Sequence, residues 1–469
     1  MVLLFIRCCI ILVPNERRKK WQKNSRKRVS LAWNLLCDLC AKLIDFLKEI
    51  IFSKEFLDSN RIGSKSFSRK RILPFHYIIF FLMNLIKGSY QDELDYFFKT
   101  IRQSQTFLRV VTKSAFCKAR KKLKFEAFKE LNKSAVNFFE DNFQPKTWHG
   151  FTLASVDGST LVVPNNDAIA EHFGVWNSGS DSPCPMARIS QMFDVLNKIT
   201  LDAIISPKGT GERELCAEHF LNLRPKDLVL LDRGYPAYWL FNLILMLGGN
   251  FCARVPVGKW KIIRKFFRSG KSEKIITLKA PPSSIKKCQE LGLDIRPLKL
   301  RLIRVALESG ETEILVTSLI DQEAWPIHLF AELYHCRWPV EEDYKVMKSR
   351  IQMENFTGKS VLSVYQDFHA RIFSKNLAQM LVFPAQAEVD RHREPNQHAY
   401  QINFTQALSK LKDTIVLLFD RSKEVAMLLI GSLFDIFVET VEPIRPNRKY
   451  PRPKRVQRKG FYVSYKPIR

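Results

Sequence analysis

Two runs of β-forming residues, each leading to an aspartate, constrain the fold of this chain more than any other feature. In Phe151-Thr-Leu-Ala-Ser-Val-Asp157-Gly-Ser-Thr-Leu-Val-Val163, both sides of Asp157 favour extended backbone, and Gly158 permits close approach of another backbone or a ligand. In the second run, Leu228-Val-Leu-Leu231 follows Pro225-Lys-Asp and ends at Asp232-Arg-Gly-Tyr. That is the pattern of a strand buried on both faces whose acid emerges at its C-terminal end. Active sites of open α/β sheets lie at this edge. An aspartate after a strand also serves as a turn former or helix cap, so neither residue defines a site alone.

A third acid stands in Tyr334-His-Cys-Arg-Trp-Pro-Val-Glu-Glu-Asp-Tyr-Lys-Val-Met-Lys348. With Tyr334 at zero, an unbroken helix would put Arg337, Glu341, Lys345 and Lys348 within a stripe from about −60° to about +20°. Pro339 breaks that helix, because proline removes a hydrogen bond and disfavours helical backbone at Trp338. The expectation is one helix ending near Arg337 and another starting near Pro339, with Glu341, Lys345 and Lys348 on one face. A carboxylate among cations suits a metal ion beside a phosphate. A solvated helix with ion pairs such as Glu341 with Lys345 would show the same spacing.

The order Asp157, then Asp232-Arg233-Gly-Tyr, then Tyr334-x2-Arg337-x3-Glu341-x6-Lys348 resembles the DDE transposases of bacterial insertion sequences. Within these it is similar to the insertion-sequence-four family with its Tyr-Arg-Glu-Lys signature. The likeness runs from about residue 110 to 375. It implies an α/β, ribonuclease-H-like catalytic core in which the first and fourth strands are neighbours. It implies a β-rich insertion before the third acid, and helical regions on either side. Asp157, Asp232 and Glu341 would be catalytic and hold two Mg²⁺ or Mn²⁺ ions, hard cations that suit oxygen ligands. Tyr334, Arg337, Lys348 and Arg233 would hold DNA, and Trp338 or Trp325 would stack on an unpaired base or be buried in the core. The implied reaction is nicking and strand transfer at an element's inverted repeats by a homodimer in a synaptic complex on double-stranded DNA, in a bacterial cytoplasm at the nucleoid. A metal-dependent nuclease of the same fold, or a catalytically inactive DNA-binding relic, would carry much of the same pattern.

Charge agrees. With 75 Lys and Arg against 47 Asp and Glu, the chain carries +28, the footprint of a partner to a polyanion, nucleic acid foremost. Ten scattered cysteines fit a reducing compartment. Cys37-x-x-Cys40 lies in a helical pattern without a second pair, so a zinc site is not the expectation. The apolar stretch Leu73 to Ile86 is too short to cross a bilayer and reads as a buried helix; no membrane partner is expected.

The chain divides into a basic N-terminal extension over 1–72, beyond the reach of the likeness and open to reading as an over-long start; a helical DNA-binding domain over 73–148; the catalytic domain over 149–375 with its insertion at about 245–320; a helical region over 376–440; and a basic, Pro-rich tail over 441–469. In the second of these, Thr112 or Ser114 offers an N-cap for a cationic helix running to Lys122 that suits a DNA groove or a solvated face alike. In the catalytic domain, runs at 189–196 and 199–205 form a hairpin turning at Asn197-Lys198. The tail from Pro443 has ten Lys or Arg, five Pro and no acid, which suits an extended clamp on phosphates.

Overall fold

The computed structural model describes residues 31–69, 71–107, 109–176, 183–306, 310–391, 398–445 and 466. The apolar start, the basic run at 17–28 and nearly all of the basic tail therefore lie outside the described residues.

The core is a mixed sheet. Its strands β1 (Thr152–Val162), β3 (Cys184–Asp194), β4 (Ile199–Ser206), β5 (Asp227–Leu231) and β6 (Asn250–Arg254) lie in the order β4-β3-β1-β5-β6. The two-residue β2 (Val175–Trp176) also pairs with β3. β1 runs antiparallel to β3 and parallel to β5, and β5 runs parallel to β6. The hairpin between β3 and β4 turns at Lys198, a non-glycine residue at φ 58°. This is an α/β fold with helical flanks, ribonuclease-H-like in strand order, as the resemblance implies.

Alternation sorts the sheet's side chains onto two cores. Leu153, Leu161, Ile189, Leu228 and Leu230 face one, under α12 (Leu329–His335) and α13 (Pro339–Lys345). Ala154, Val156, Val229 and Leu231 face the other, under α8 (Glu212–His219) and α9 (Tyr238–Met246).

The insertion continues the sheet rather than standing apart. β9 (Thr312–Thr317) pairs antiparallel with β6, and β8 (Leu298–Ala306) and β7 (Glu273–Leu278) lie beyond it in turn. It also holds two helices that the sequence does not announce, α10 (Lys261–Arg268) and α11 (Pro282–Glu290). In α10, Ile263 and Phe266 turn inward at helical spacing while Lys261, Arg264, Lys265 and Arg268 are exposed. In β8, Leu298, Leu300 and Leu302 alternate inward, but Arg301 is buried as well. Its Nε donates to Glu273 Oε2 at 2.6 Å and its Nη1 to the Trp325 carbonyl at 2.7 Å, which satisfies the charge inside.

A helical layer covers the rest. α1 (Leu31–Phe52), α2 (Lys54–Asn60), α3 (Phe75–Leu82), α4 (Tyr90–Arg102), α5 (Lys113–Arg120) and α6 (Glu126–Asn142) precede the sheet. Phe75 and residues 78–86 are buried, with Leu73, Pro74, His76 and Tyr77 half-buried, and only Phe75–Leu82 is helical. The division at 72 is not a packing boundary: Leu43, Ile44 and Leu47 of α1 share a core with Phe81, Phe128 and Leu131. Cys37 and Cys40 lie buried in that core, and burial pushes the Cys37 thiol up to about 11 and Cys40 higher than usual, so neither is poised as a thiolate ligand. Thr112 caps α5, its Oγ1 accepting from the Ala115 amide at 3.3 Å, but Arg120 at the end of that helix is buried.

The 31-residue α14 (Val361–Arg391) joins the layers, placing Phe368 and Ile372 against the sheet and Phe373 and Leu377 against the helices. α7 (Asp167–Phe173), α15 (Phe404–Leu411), α16 (Thr414–Asp420), α17 (Lys423–Glu439) and the β10–β11 pair (Tyr400–Ile402, Val441–Pro443) complete the order. No helix among the described residues is long and apolar enough to cross a membrane.

Candidate active site

The parallel register of β1 and β5 runs from Thr152 opposite Asp227 to Val156 opposite Leu231. Asp157 and Asp232 are the next residues along each strand, so they lie side by side, Asp157 still within β1 and Asp232 just past the end of β5. By alternation both share the face of Leu153 and Leu230, the face covered by α12 and α13.

Burial pushes the Asp157 carboxyl up to about 6, and the nearby Glu341 and Asp232 charges add to this. The Gly158 amide and the Arg337 guanidinium oppose it. The three acids and Arg337 thus lie within electrostatic reach of one another. The backbone of Asp157 is also held: the Tyr344 hydroxyl donates to its carbonyl at 2.7 Å, with Ser190 Oγ more distant at 3.4 Å. The Tyr334 hydroxyl donates to Asp232 Oδ1 at 3.3 Å.

A break falls before Pro339, with α12 ending at His335 and proline at the first position of α13, but against expectation Trp338 keeps helical angles (φ −59°, ψ −32°), the break being a tighter turn of three-residue-spaced hydrogen bonds. Arg337 is buried within the break, and its Nη2 donates to Glu341 Oε1 at 2.7 Å. Its guanidinium lies 5.9 Å from the Tyr334 ring centre and 5.3 Å from that of Trp338. Arg337 Nε is buried and has no acceptor among the described residues. Lys345 leaves the expected stripe. It is exposed and pairs with Glu342, so the Glu341 with Lys345 pair does not form. Lys348 sits in a π-helical turn, Val346–Arg350, and its Nζ donates to Ser159 Oγ at 2.8 Å, two residues past Asp157.

The remaining sequence candidates divide. Trp338 is 43% exposed beside Arg337, and Arg233 is exposed next to Asp232. Trp325 is not free: its ring stacks on Trp148 at 5.5 Å and packs against Phe151, which makes it part of the core's edge.

Among the described residues, no three Asp, Glu, His or Cys side chains stand together as a ready metal cluster. One carboxylate oxygen of Glu341 is turned to Arg337. The donor set itself fits a hard divalent cation: carboxylate oxygens only, with Asp157 in a setting that disfavours its charge until a cation balances it.

Sequence reasoning missed Tyr344 and Ser159. Both are implied by spacing, Tyr344 one turn beyond Glu341 and Ser159 on the same strand face as Asp157. It also missed a buried row behind the site, in which His219 Nδ1 lies 2.7 Å from Asp202 Oδ2 and its Nε2 lies 3.0 Å from Ser190 Oγ. No local pattern signals that row, because its members come from three separate elements.

Residues 148–377 match the family described as "Transposase DDE domain". Over 253 residues the chain is 24% identical to "Transposase InsG for insertion sequence element IS4" of Escherichia coli (strain K12), covering 53% of this chain and 56% of that protein. The chain thus spans a little over half the length of that curated relative. A solved structure, "Cryo-EM structure of piggyBac transposase synaptic complex with hairpin DNA (SNHP)", aligns over 87% of each chain at 10% identity, with a TM-score of 0.44. A likeness that loose carries no argument about this chain.

Proposed function

We propose that this chain, whose residues 148–377 make it homologous to DDE-type transposases of the IS4-like family, excises and inserts a mobile DNA element by cutting and joining phosphodiester bonds at its ends. The observation that carries the reading is the register of β1 and β5, with Asp157 and Asp232 abreast beneath the helix pair of Tyr334, Arg337 and Glu341.

Asp157, Asp232 and Glu341 would hold divalent ions, Mg²⁺ or Mn²⁺ and two per site, whose chemistry is Lewis-acid activation of an attacking hydroxyl and stabilisation of the leaving oxygen. The protein's own residues prepare that place. Tyr334 orients the Asp232 carboxylate through its hydroxyl, and Tyr344 fixes the Asp157 peptide. Arg337 neutralises Glu341, and its planar fork is suited to exchange one carboxylate contact for a phosphate. Lys348, reaching over the strand to Ser159, would hold a second phosphate as a point charge, and Arg233 and Trp338 would offer a cation and an exposed ring at the rim.

Exposed cations supply the wider footprint: Lys113, Lys118, Lys121 and Lys122 around α5, and Lys261, Arg264, Lys265 and Arg268 on α10. Such charges bind the DNA backbone without reading sequence. The functional unit is a homodimer holding paired ends, at the nucleoid of a bacterial cytoplasm.

The test is incubation of the purified protein with a labelled duplex bearing the element's own end, with Mg²⁺ or with EDTA, for wild type and Glu341→Gln. Metal-dependent cutting at the end boundary, lost in the variant, together with joining to a second duplex, supports the proposal. Cutting without joining would make the protein a nuclease. Binding without cutting would make it a DNA-binding relic.

A further inference from the structure

α13, which carries Glu341, is a seven-residue helix bounded by the Pro339 break and a π-helical turn. A helix this short does not hold its own position. Beside the core packing of Val340 and Tyr344, it is tied to the rest of the protein by a buried charge. Lys375 of α14 is 1% exposed and its Nζ donates to both oxygens of Asp343, at 2.7 and 2.6 Å. The third ammonium proton goes to Thr200 Oγ1 of β4 at 2.8 Å, and that hydroxyl donates to Gln191 Oε1 at 3.2 Å. Gln191 is the residue of β3 directly opposite Asp157. All three Lys375 protons are therefore spent on two elements, the Glu341 helix and β4, which reaches Asp157 of β1 only through Gln191 of the intervening β3.

Neighbouring bonds keep this junction in place. Asn376, the next residue of α14, donates to the Thr200 carbonyl at 2.7 Å and accepts from the Thr200 amide at 2.9 Å. It also donates to Asn132 of α6 at 2.7 Å. On α13, Tyr344 comes directly after Asp343 and reaches the Asp157 carbonyl.

A buried ion pair is a poor source of net stability, since well-packed apolar residues of similar volume often do as well. What it supplies is direction: three bonds of fixed length and angle. We propose that the Lys375–Asp343 pair is a positioning device that sets the distance between Glu341 and Asp157 by bracing α13 against β3 and β4. The inference rests on the DNA-cutting reading of the site. Lys375 touches no reacting group; it acts through Asp343 on one side and through Thr200 and Gln191 on the other.

The test uses the full chain with both charges removed, Asp343→Leu with Lys375→Met, so that no buried charge is left unpaired. Melting temperature, affinity for end DNA, single-turnover cutting and the Mn²⁺ concentration for half-maximal cutting are compared with wild type. Expected are a wild-type melting temperature and DNA affinity within about twofold, but cutting slower by about 100-fold, the scale on which a misplacement near 1 Å acts. The half-maximal Mn²⁺ concentration should rise by about tenfold as the acids cease to converge. A folded double variant that cuts within about threefold of wild type at unchanged Mn²⁺ demand overturns the inference, because a purely stabilising pair predicts that outcome. If the double variant does not fold, Thr200→Val, which keeps the pair and cuts its link to the sheet, carries the same readouts, and unchanged cutting there overturns the inference equally. Failure of wild type to cut any end would instead bring down the transposase reading, and this inference with it.

Discussion

Arg120 separates two roles that a basic helix can have. From sequence it belongs to the cationic face of α5, yet its guanidinium is buried and fully engaged. Nε donates to Gln366 Oε1 at 2.5 Å, Nη1 to Thr357 Oγ1 at 2.7 Å and Tyr90 at 3.2 Å, and Nη2 to the Ser363 carbonyl at 2.8 Å and Asp367 Oδ1 at 2.6 Å. In Arg120→Met the Asp367 carboxylate, 3% exposed, loses its counter-ion but keeps the Thr357 amide and hydroxyl. Taking the low end of the cost of breaking a buried pair, about 3 kcal/mol, and about 1 kcal/mol each for the Ser363 and Gln366 oxygens left without this donor, the loss is about 5 kcal/mol. For a chain of this size that lowers the melting temperature by about 5 °C. The assay is thermal unfolding by circular dichroism alongside DNA affinity across a salt series, with Lys118→Ala and Lys122→Ala as comparisons. Those exposed residues should leave melting unchanged and weaken binding, each lost phosphate contact lowering the salt slope by about 1. An Arg120→Met protein that melts within about 1 °C of wild type but loses DNA affinity would refute the burial argument.

Other buried groups give two further outcomes. Burial holds the His76 imidazole down to about 4 and, with Lys129 adding to burial, His369 to about 3, whereas both titrate near their ordinary value once unfolded. Their share of stability is complete above the unfolded value and is lost as pH falls towards 4 and 3; at pH 5 each site costs up to about 2 kcal/mol. Denaturant titrations between pH 7 and 5 should show this slope, and His369→Phe, whose ring can keep the stack on Phe125, should remove about half of it; an unchanged slope would refute the assignment. For the cysteines, a thiol reagent should label exposed Cys117 in the native protein but reach Cys37 and Cys40 only after unfolding, as read by peptide mapping. Bound zinc, with a melting temperature lowered by chelator, would contradict the packing of α1.

How far the sequence discloses the molecule depends on the range of the interactions. Asp157 and Asp232 stand on strands whose apolar runs are local, so their setting is readable, and the proline break at 339 is a matter of neighbouring backbone. Adjacency of the two strands needs a pairing 75 residues apart and comes only through family resemblance. The partners of Glu341, Lys345 and Lys348 are harder. Helical spacing offers Lys345 to Glu341, but Arg337 takes that carboxylate from inside the break and Lys348 reaches across to Ser159. Arg301 and Arg120 read as surface charges because their acceptors, Glu273 and Asp367, lie on other elements. The helices of the insertion are overshadowed by stronger β patterns beside them. Residues 31–60 lie outside the family likeness, which says nothing about what they pack against.

α14 ties these layers into one unit, and the match to the transposase domain ends at residue 377, in the middle of that helix. Beyond this point Ala378, Leu381 and Ala385 continue its buried face into the helical layer. A recombinant fragment cut to the matched residues would lose the second half of the helix and strip the covering from Phe373 and Leu377. Such a piece should come from an expression host as insoluble material or in the grip of chaperones. Anyone wishing to crystallise the matched domain separately would do better to keep α1 and α17 attached and to trim only outside them.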